Sequence, residues 1–336
     1  MKRTVFFWAL AVSGVLGISQ VQSVAARTIP TADLVFNVAL PSLGGVDNPG
    51  CTVQPQTNPC ATPQYAFDAL YADYDLQCRF KATIQLAAAP APGQNYYPGV
   101  NISGRPVGQC GTLKPLTVGS GKAPFYIGKY LPITLQGDPA NPLGAFINPG
   151  NGGRPGGACI SLSDGASLRV TGVACDTAFA AQDGFDIYSG SFMDMSHVWF
   201  GNAGMPGSTY SNHISVGFSS TLIITGDYGL SGSASAHING GANATIDYEN
   251  NGDPALPITV TVQNNPTFTA GFMLIDNSLL YAQAVNYVGG AVGPRATVLR
   301  NGVIETNTGN GTPHSCSATY FPGTTAPVIL DNAVCR

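Results

Sequence analysis

The 336-residue sequence predicts an all-β solenoid, a stack of short strands with a short capping helix at its N-terminal end. Three observations predict it. First, one spacing recurs from Ile160 to Thr306: apolar, any, apolar, five others, apolar, any, apolar. It reads Ile160, Leu162, Leu168, Val170; Phe185, Ile187, Met193, Met195; Ile214, Val216, Leu222, Ile224; Ala236, Ile238, Ala244, Ile246; Phe272, Leu274, Leu280, Ala282; and Ala296, Val298, Ile304, Thr306. The units start between 22 (214 to 236) and 36 (236 to 272) residues apart. Two apolar residues two apart mark a short strand with one face inward, because side chains alternate along a strand. Second, the gaps carry turn formers, as in Asp164-Gly165, Ser189-Gly190, Gly240-Gly241, Asp276-Asn277 and Asn301-Gly302. Third, 42 Gly, 25 Pro and only 10% charged residues suit short strands joined by many turns, and 44% hydrophobic content excludes a disordered chain.

Taken in order, Lys2-Arg3, the apolar run Val5 to Ile18 and Val24-Ala25-Ala26 have the three parts of a secretory signal peptide, cleaved after Ala26. Residues 1–26 are therefore assigned to it. An uncleaved anchor is the alternative, but Ser13, Gly14 and Gly17 interrupt a run already short for a spanning helix. No integral span is expected after cleavage. Residues 27–63, rich in Pro, Gly and Asn, are expected to form an irregular extension laid on the body. Pro63 to Asp73 then places Ala66, Ala69 or Leu70, and Asp73 at helical intervals with no Gly, which predicts the lid on the first rung. Phe80 to Leu86, Val100 to Gly104 and Leu131 to Asp138 read as strands of earlier, less regular rungs. The solenoid is assigned residues 64–310. Residues 311–336 are expected to be a turn-rich C-terminal tail.

All eight cysteines (Cys51, Cys60, Cys78, Cys110, Cys159, Cys175, Cys316, Cys335) follow the leader, which implies disulfides in an oxidising compartment. The expected set joins sequence neighbours: Cys51–Cys60, Cys78–Cys110, Cys159–Cys175 and Cys316–Cys335. No two have the close spacing of a zinc knuckle, so no metal site and no cofactor is expected. Loss of Lys2 and Arg3 takes the formal charge from −4 to −6, with 12 basic residues against 18 acidic, which argues against nucleic acid as a partner.

On a solenoid the outward residue of each strand stacks over its counterpart one rung away. Two outward columns are expected: Ser161, Asp186, Ser215, His237, Met273, Thr297, and Arg169, Asp194, Ile223, Thr245, Tyr281, Glu305. Charge gathers on the first two rungs of the repeat, where Asp164, Asp176, Asp183, Asp186, Asp194 and His197 stand around Arg169. Paired carboxylates serve glycoside hydrolysis as acid, base or nucleophile. The candidate catalytic set is thus Asp183, Asp186 and Asp194, with Arg169 orienting an acidic sugar. The competing reading is structural, with Arg169 pairing Asp194 across adjacent rungs and Asp164 and Asp183 serving turns. His213 and His237, 24 apart (237 from 213), are expected near one another, and metal there would need a third ligand. Aromatic rings that stack on sugars are sought at Tyr188, Trp199, Tyr210, Tyr228, Tyr248 and Tyr281. Tyr188, His197 and Trp199 form the candidate ligand-binding set.

The helix Tyr65 to Asp73 leads into Ala82-Thr83-Ile84-Gln85-Leu86-Ala87, and Pro132-Ile133-Thr134-Leu135-Gln136-Gly137-Asp138, Val260-Thr261-Val262 with Pro266-Thr267-Phe268, Asn301-Gly302-Val303-Ile304 and Tyr320-Phe321-Pro322-Gly323 follow in order. Through these pieces the chain, from about Ala61 to Phe321, resembles right-handed parallel β-helix proteins of the pectin-lyase-like superfold, and within it phage-tail, prophage and soil-bacterial secreted proteins. It implies the right-handed parallel β-helix. Gln182-Asp183-Gly184-Phe185-Asp186 is similar to the Asn-Thr-Asp-Gly-x-Asp element of polygalacturonases, which would make Asp183 a general acid, but that family's Asp-Asp pair, Gly-His-Gly and Arg-x-Lys are missing. Val198-Trp199 resembles pectate lyases only until Phe200-Gly201, where those enzymes carry Asp-His. The expected function is a secreted, periplasmic or cell-surface protein that binds polysaccharide or another envelope partner without strong catalysis. Alternatives are a glycan-cleaving enzyme, hydrolase before lyase, and a structural appendage module, for which a homotrimer is the expected assembly.

Overall fold

The computed structural model describes residues 27–77, 79–89, 96–104, 131–150, 157–177, 182–204, 211–249, 257–283, 285–306 and 320–335. The leader and the Cys78–Cys110 and Cys316–Cys335 pairs involve residues outside this set. The chain winds through three all-parallel sheets of ten, eight and six strands among the described residues, visiting each once per turn as a right-handed parallel β-helix. One rung shows the order: Ile160–Ser163 lies in the eight-stranded sheet, Ser167–Thr171 in the ten-stranded sheet and Ala174–Cys175 in the six-stranded sheet. Inward residues of all three meet in one continuous core, with Ile160, Leu162, Leu168, Val170, Phe185, Ile187, Met193 and Met195 fully buried.

The two corners differ for a backbone reason. From the eight- to the ten-stranded sheet the chain turns through two left-handed residues, as at Asp164-Gly165 (φ 55° and 79°), Ser189-Gly190 (55° and 74°) and Phe218-Ser219 (52° and 61°). These turns stack: Gly165 N donates to Ser189 O (2.9 Å) and Gly190 N to Phe218 O (3.0 Å). From the ten- to the six-stranded sheet one left-handed residue suffices, Gly172 (φ 69°) in one rung and His197 (φ 52°) in the next. Phe218 is a poor left-handed residue and its side chain is 68% exposed, so it loses backbone energy without gaining packing. Phe218→Asn is therefore expected to raise stability by about 1 kcal/mol in urea unfolding.

The N-terminal end is sealed. Thr62 caps the helix Pro63–Asp73 by accepting Tyr65 N (3.3 Å), Pro63 fills the first turn, and Ala66, Phe67, Leu70 and Tyr71 are buried. Asp47 holds the helix start by accepting from Ala61 N (2.8 Å) and Thr62 N (3.0 Å). Gln64 Oε1 accepts from Asn101 N (2.7 Å) at the first strand of the eight-stranded sheet. The span expected as an irregular extension contains a strand, Leu34–Val38, which pairs in parallel with Ala82–Leu86 and opens the ten-stranded sheet. Its free edge is covered by the loop that the Cys51–Cys60 disulfide closes: Gln54 Nε2 donates to Val35 O (2.9 Å) and Gln56 Oε1 accepts from Asn37 N (2.7 Å). Cys159–Cys175 is also formed, and Cys335 is disulfide-bonded. At the other end the expected tail adds two strands, Val328–Ile329 and Val334–Cys335, as a further rung.

The register corrects the expected alignment of two rungs. Ile214 pairs with Ile238, not Ala236, and Ile238 with Met273. Between Ala234 and Ala236 the partner strand advances from Phe268 to Gly271, an extra residue that forms a bulge with Gly271 at φ 141°. The first outward column therefore runs Ser161, Asp186, Ser215, Asn239, Leu274, Thr297, and Met273 points inward, fully buried. In the second column Asp247, not Thr245, follows Ile223, giving Arg169, Asp194, Ile223, Asp247, Tyr281, Glu305.

Candidate functional site

The register distributes the candidate residues over three faces. Asp183, Asp186 and Tyr188 belong to the eight-stranded sheet, Arg169 and Asp194 to the ten-stranded sheet, and Trp199 to the six-stranded sheet, with His197 at the corner before it. Asp194 is therefore not on the face that carries Asp183 and Asp186.

On the eight-stranded face Asp186 points outward between buried Phe185 and Ile187, and Asp183 sits on the approach to that strand. Asp183 Oδ1 accepts from Asn212 N (2.5 Å) and Asn212 Nδ2 (3.0 Å). Burial, reinforced by the Asp186 charge, pushes the Asp183 carboxyl up to about 7 against the pull of those hydrogen bonds, and burial also raises Asp186. Tyr188 lies two residues beyond Asp186 on the same outward side, half-buried.

On the ten-stranded face Asp194 is 5% exposed and fully engaged. Its Oδ2 accepts from Arg169 Nε (2.8 Å) and its Oδ1 from Thr225 Oγ1 (2.6 Å), so the expected cross-rung ion pair is present. Asp247 stands two strands away, about 9.6 Å by strand spacing, and Glu249 follows just past the end of that strand. Burial and the Glu249 charge push Asp247 up to about 6, and burial with the Asp194 charge raises Glu249. Neither Asp247 nor Glu249 emerges from the sequence, because the two-residue slip places Thr245 in that column.

On the six-stranded face Trp199 points outward beside Ala174 on one rung and Gly229 on the next. Its six-membered ring occupies the volume a side chain at Gly229 would need: a Cβ there would lie 2.2 Å from Trp199 Cζ3. The indole is thus laid across the sheet over Gly229. Its Nε1 donates to Ser231 Oγ (3.1 Å), which fixes the ring. The Trp199 side chain is half-buried. His197, exposed by its left-handed corner, and Asp227, whose carbonyl accepts from His197 N (2.7 Å), flank it.

His213 and His237 do meet, Nδ1 to Nδ1 3.1 Å apart, but inside the core and not in the outward column expected for His237. His237 Nε2 and Tyr228 OH are 2.8 Å apart, and Tyr228 OH lies 2.8 Å from Tyr248 OH. Tyr228 and Tyr248 are consequently core residues rather than sugar platforms, Tyr281 is half-buried, and Tyr210 lies outside the described residues. Burial drives His213 down to about 3 and His237 well below its ordinary value, so the pair is neutral. The metal-capable grouping of Asp47 with Cys51 and Cys60 is closed to thiolate chemistry by the disulfide.

No family model, characterised protein or solved structure matches this chain. The parallel solenoid with its disulfides therefore stands on the strand register itself, and function has to be argued from the three faces.

Proposed function

We propose that this chain is a secreted or cell-surface β-helix protein that binds polysaccharide through the six-stranded face, without strong catalysis. The observation that carries the reading is Trp199, half-buried, with its six-membered ring over Gly229 and its Nε1 tied to Ser231. A fixed, partly exposed ring presents apolar surface to the C–H face of a pyranose at little entropic cost, and hydroxyls around the sugar find partners at the platform's polar flanks. Two disulfides and the predicted leader support an oxidising, extracytoplasmic setting. No helix among the described residues is long and apolar enough to cross a membrane. The likeness to the pectin-lyase-like superfold, many of whose members handle polysaccharide, agrees with this role.

On a glycan array the wild-type chain should give signal without release of reducing ends. Trp199→Ala should lose that signal by about tenfold or more while keeping its thermal unfolding within a few degrees. A blank wild-type array, or a Trp199→Ala chain that binds as well as wild type, would sink the proposal.

A second reading, glycan hydrolysis, draws support from the ten-stranded face, where Asp247 is held protonated to about pH 6 two strands from Asp194. That backbone spacing lies at the upper end of the range for an acid and a base acting across a water. Asp194, however, has both oxygens engaged by Arg169 and Thr225, which leaves it poorly placed as a base. If hydrolysis occurs there, Asp247→Asn should cut reducing-end release at least about a hundredfold. Release that survives this substitution but disappears in Asp183→Asn would move the chemistry to the eight-stranded face.

A further inference from the structure

Trp199 is not the sole aromatic residue in its row. Phe146 pairs with Ala174, Ala174 with Trp199, Trp199 with Gly229 and Gly229 with Thr261, which sets these residues in one outward line running along the solenoid axis. The bridge between Tyr97 and Ile147 extends the line by one position, placing Tyr96 beside Phe146 with ring centroids 5.1 Å apart. The row thus carries an aromatic pair, a small residue and a second aromatic. Phe146 and Trp199 are two strands apart, about 9.6 Å along the axis. That is close to the distance between alternate rings of an extended, β-linked polysaccharide.

The residues on either side of this row are polar. On the side of the ten-stranded sheet the neighbours in successive rungs are His197, Asp227 and Thr259, the Asp227 carboxylate accepting from Thr259 N (2.7 Å). On the opposite side stand Asp176, Ser231 and Gln263, continuing the strands beyond Cys175, Leu230 and Val262. The central line is apolar and the flanks offer carboxylate, hydroxyl and amide groups, with no Lys or Arg among these flanking positions. A surface of that composition repels uronate and sulfated chains and matches a neutral one.

We infer that the six-stranded face binds an extended neutral polysaccharide lying parallel to the solenoid axis, with alternate sugar rings stacked on the Tyr96–Phe146 pair and on Trp199. This deepens the proposed function and rests on it. Two aromatic stations on one rigid sheet require a ligand long enough to reach both. A monosaccharide or disaccharide gains from one station only.

The test is calorimetry of the full mature chain with neutral cello-, xylo-, manno- and chito-oligosaccharides of increasing length, and with oligogalacturonates as the acidic series. At least one neutral series should gain affinity steeply up to the length that spans both stations and then level off. Tyr96→Ala, at a residue 37% exposed and therefore tolerant of truncation, should lower affinity for the long oligomer about fivefold to tenfold and leave the disaccharide almost unchanged. Phe146→Ala should do the same, and Trp199→Ala should weaken all lengths. Length-independent affinity, or long-oligomer binding untouched by Tyr96→Ala and Phe146→Ala, would reduce the face to one station and overturn this inference while leaving glycan binding intact. Preference for the acidic series would overturn it equally. If no series binds wild type, the proposed function itself falls.

Discussion

Asp183→Asn is expected to stabilise the protein by about 2–4 kcal/mol at pH 8 and to change it little at pH 4. The carboxyl titrates near 3.8 in the unfolded chain and at about 7 in the folded one, because burial and the neighbouring Asp186 charge disfavour its ionised form. The folded state holds this proton more tightly. Stability attributable to the group is therefore undiminished below pH 3.8, declines as pH rises toward 7, and is at its lowest above that. An asparagine keeps an oxygen to accept from Asn212 N and Nδ2, yet carries no charge to desolvate. Urea unfolding of both proteins at pH 4 and pH 8 checks this, and an equal gain at the two pH values would refute the electrostatic explanation. A buried acid that weakens the fold at neutral pH is the sort of residue that persists for a task, so the same variant is the informative one in any assay for glycan cleavage.

His213→Phe is expected to tilt the pH dependence the other way. His213 titrates near 6.5 unfolded and at about 3 folded, and its surroundings explain the difference: Phe200 stacks on the ring at 5.6 Å, Phe268 meets it edge-on at 5.6 Å, and its Nδ1 faces the neutral His237, which is in turn packed against Tyr228 and Phe272. None of these neighbours carries a countercharge. The stability this histidine confers is complete above pH 6.5 and is lost as pH falls toward 3. Between those limits the wild type should lose up to about 1.4 kcal/mol per pH unit more than the variant. At pH 7 the variant should be about 1 kcal/mol the weaker, since His237 Nδ1 loses its partner. The two stability curves then cross on acidification, and curves that stay parallel from pH 7 to pH 4 would show that the pair does not titrate as described. Raised Asp183, Asp186, Asp247 and Glu249 act against the two lowered histidines, so the acids and the histidines tilt wild-type stability in opposite directions between about pH 4 and pH 6.5.

The solenoid was legible because period two and a recurring turn are both local signals. Ile160, Leu162, Leu168 and Val170, and the two units after them, line the core as the spacing requires. The pattern slipped at Ala236 and Phe272, where nearly every residue is apolar and alternation loses its information. Phe272-Met273-Leu274-Ile275 fits either parity, and the bulge at Gly271 decides it through a hydrogen-bond register that composition does not record. That slip concealed Asp247. The strand Leu34–Val38 was hidden differently, since its partner Ala82 lies 48 residues away (82 from 34) across Pro- and Gly-rich sequence.

The candidate site was legible as residue types and not as a place. Asp183, Asp186, Asp194, Arg169 and Trp199 are close in sequence, but each rung spends them on different sheets, so neighbours along the chain face different ways. Tyr96 and Phe146 gave no signal, because one precedes an isolated bridge and the other sits in a two-residue strand, both outside the clean repeat. What brings them into line with Trp199 is pairing between rungs, a relation across 53 residues (199 from 146).

The parallel register has a consequence for how such a surface changes over evolutionary time. Its row positions are set by the hydrogen-bond ladder, so the separation of two outward residues can take only whole multiples of about 4.8 Å. Moving an aromatic from one rung to the next changes the graduation by one full step, and no substitution produces an intermediate value. The protein is in this respect a ruler with fixed markings, on which specificity shifts by choosing marks rather than by stretching the scale.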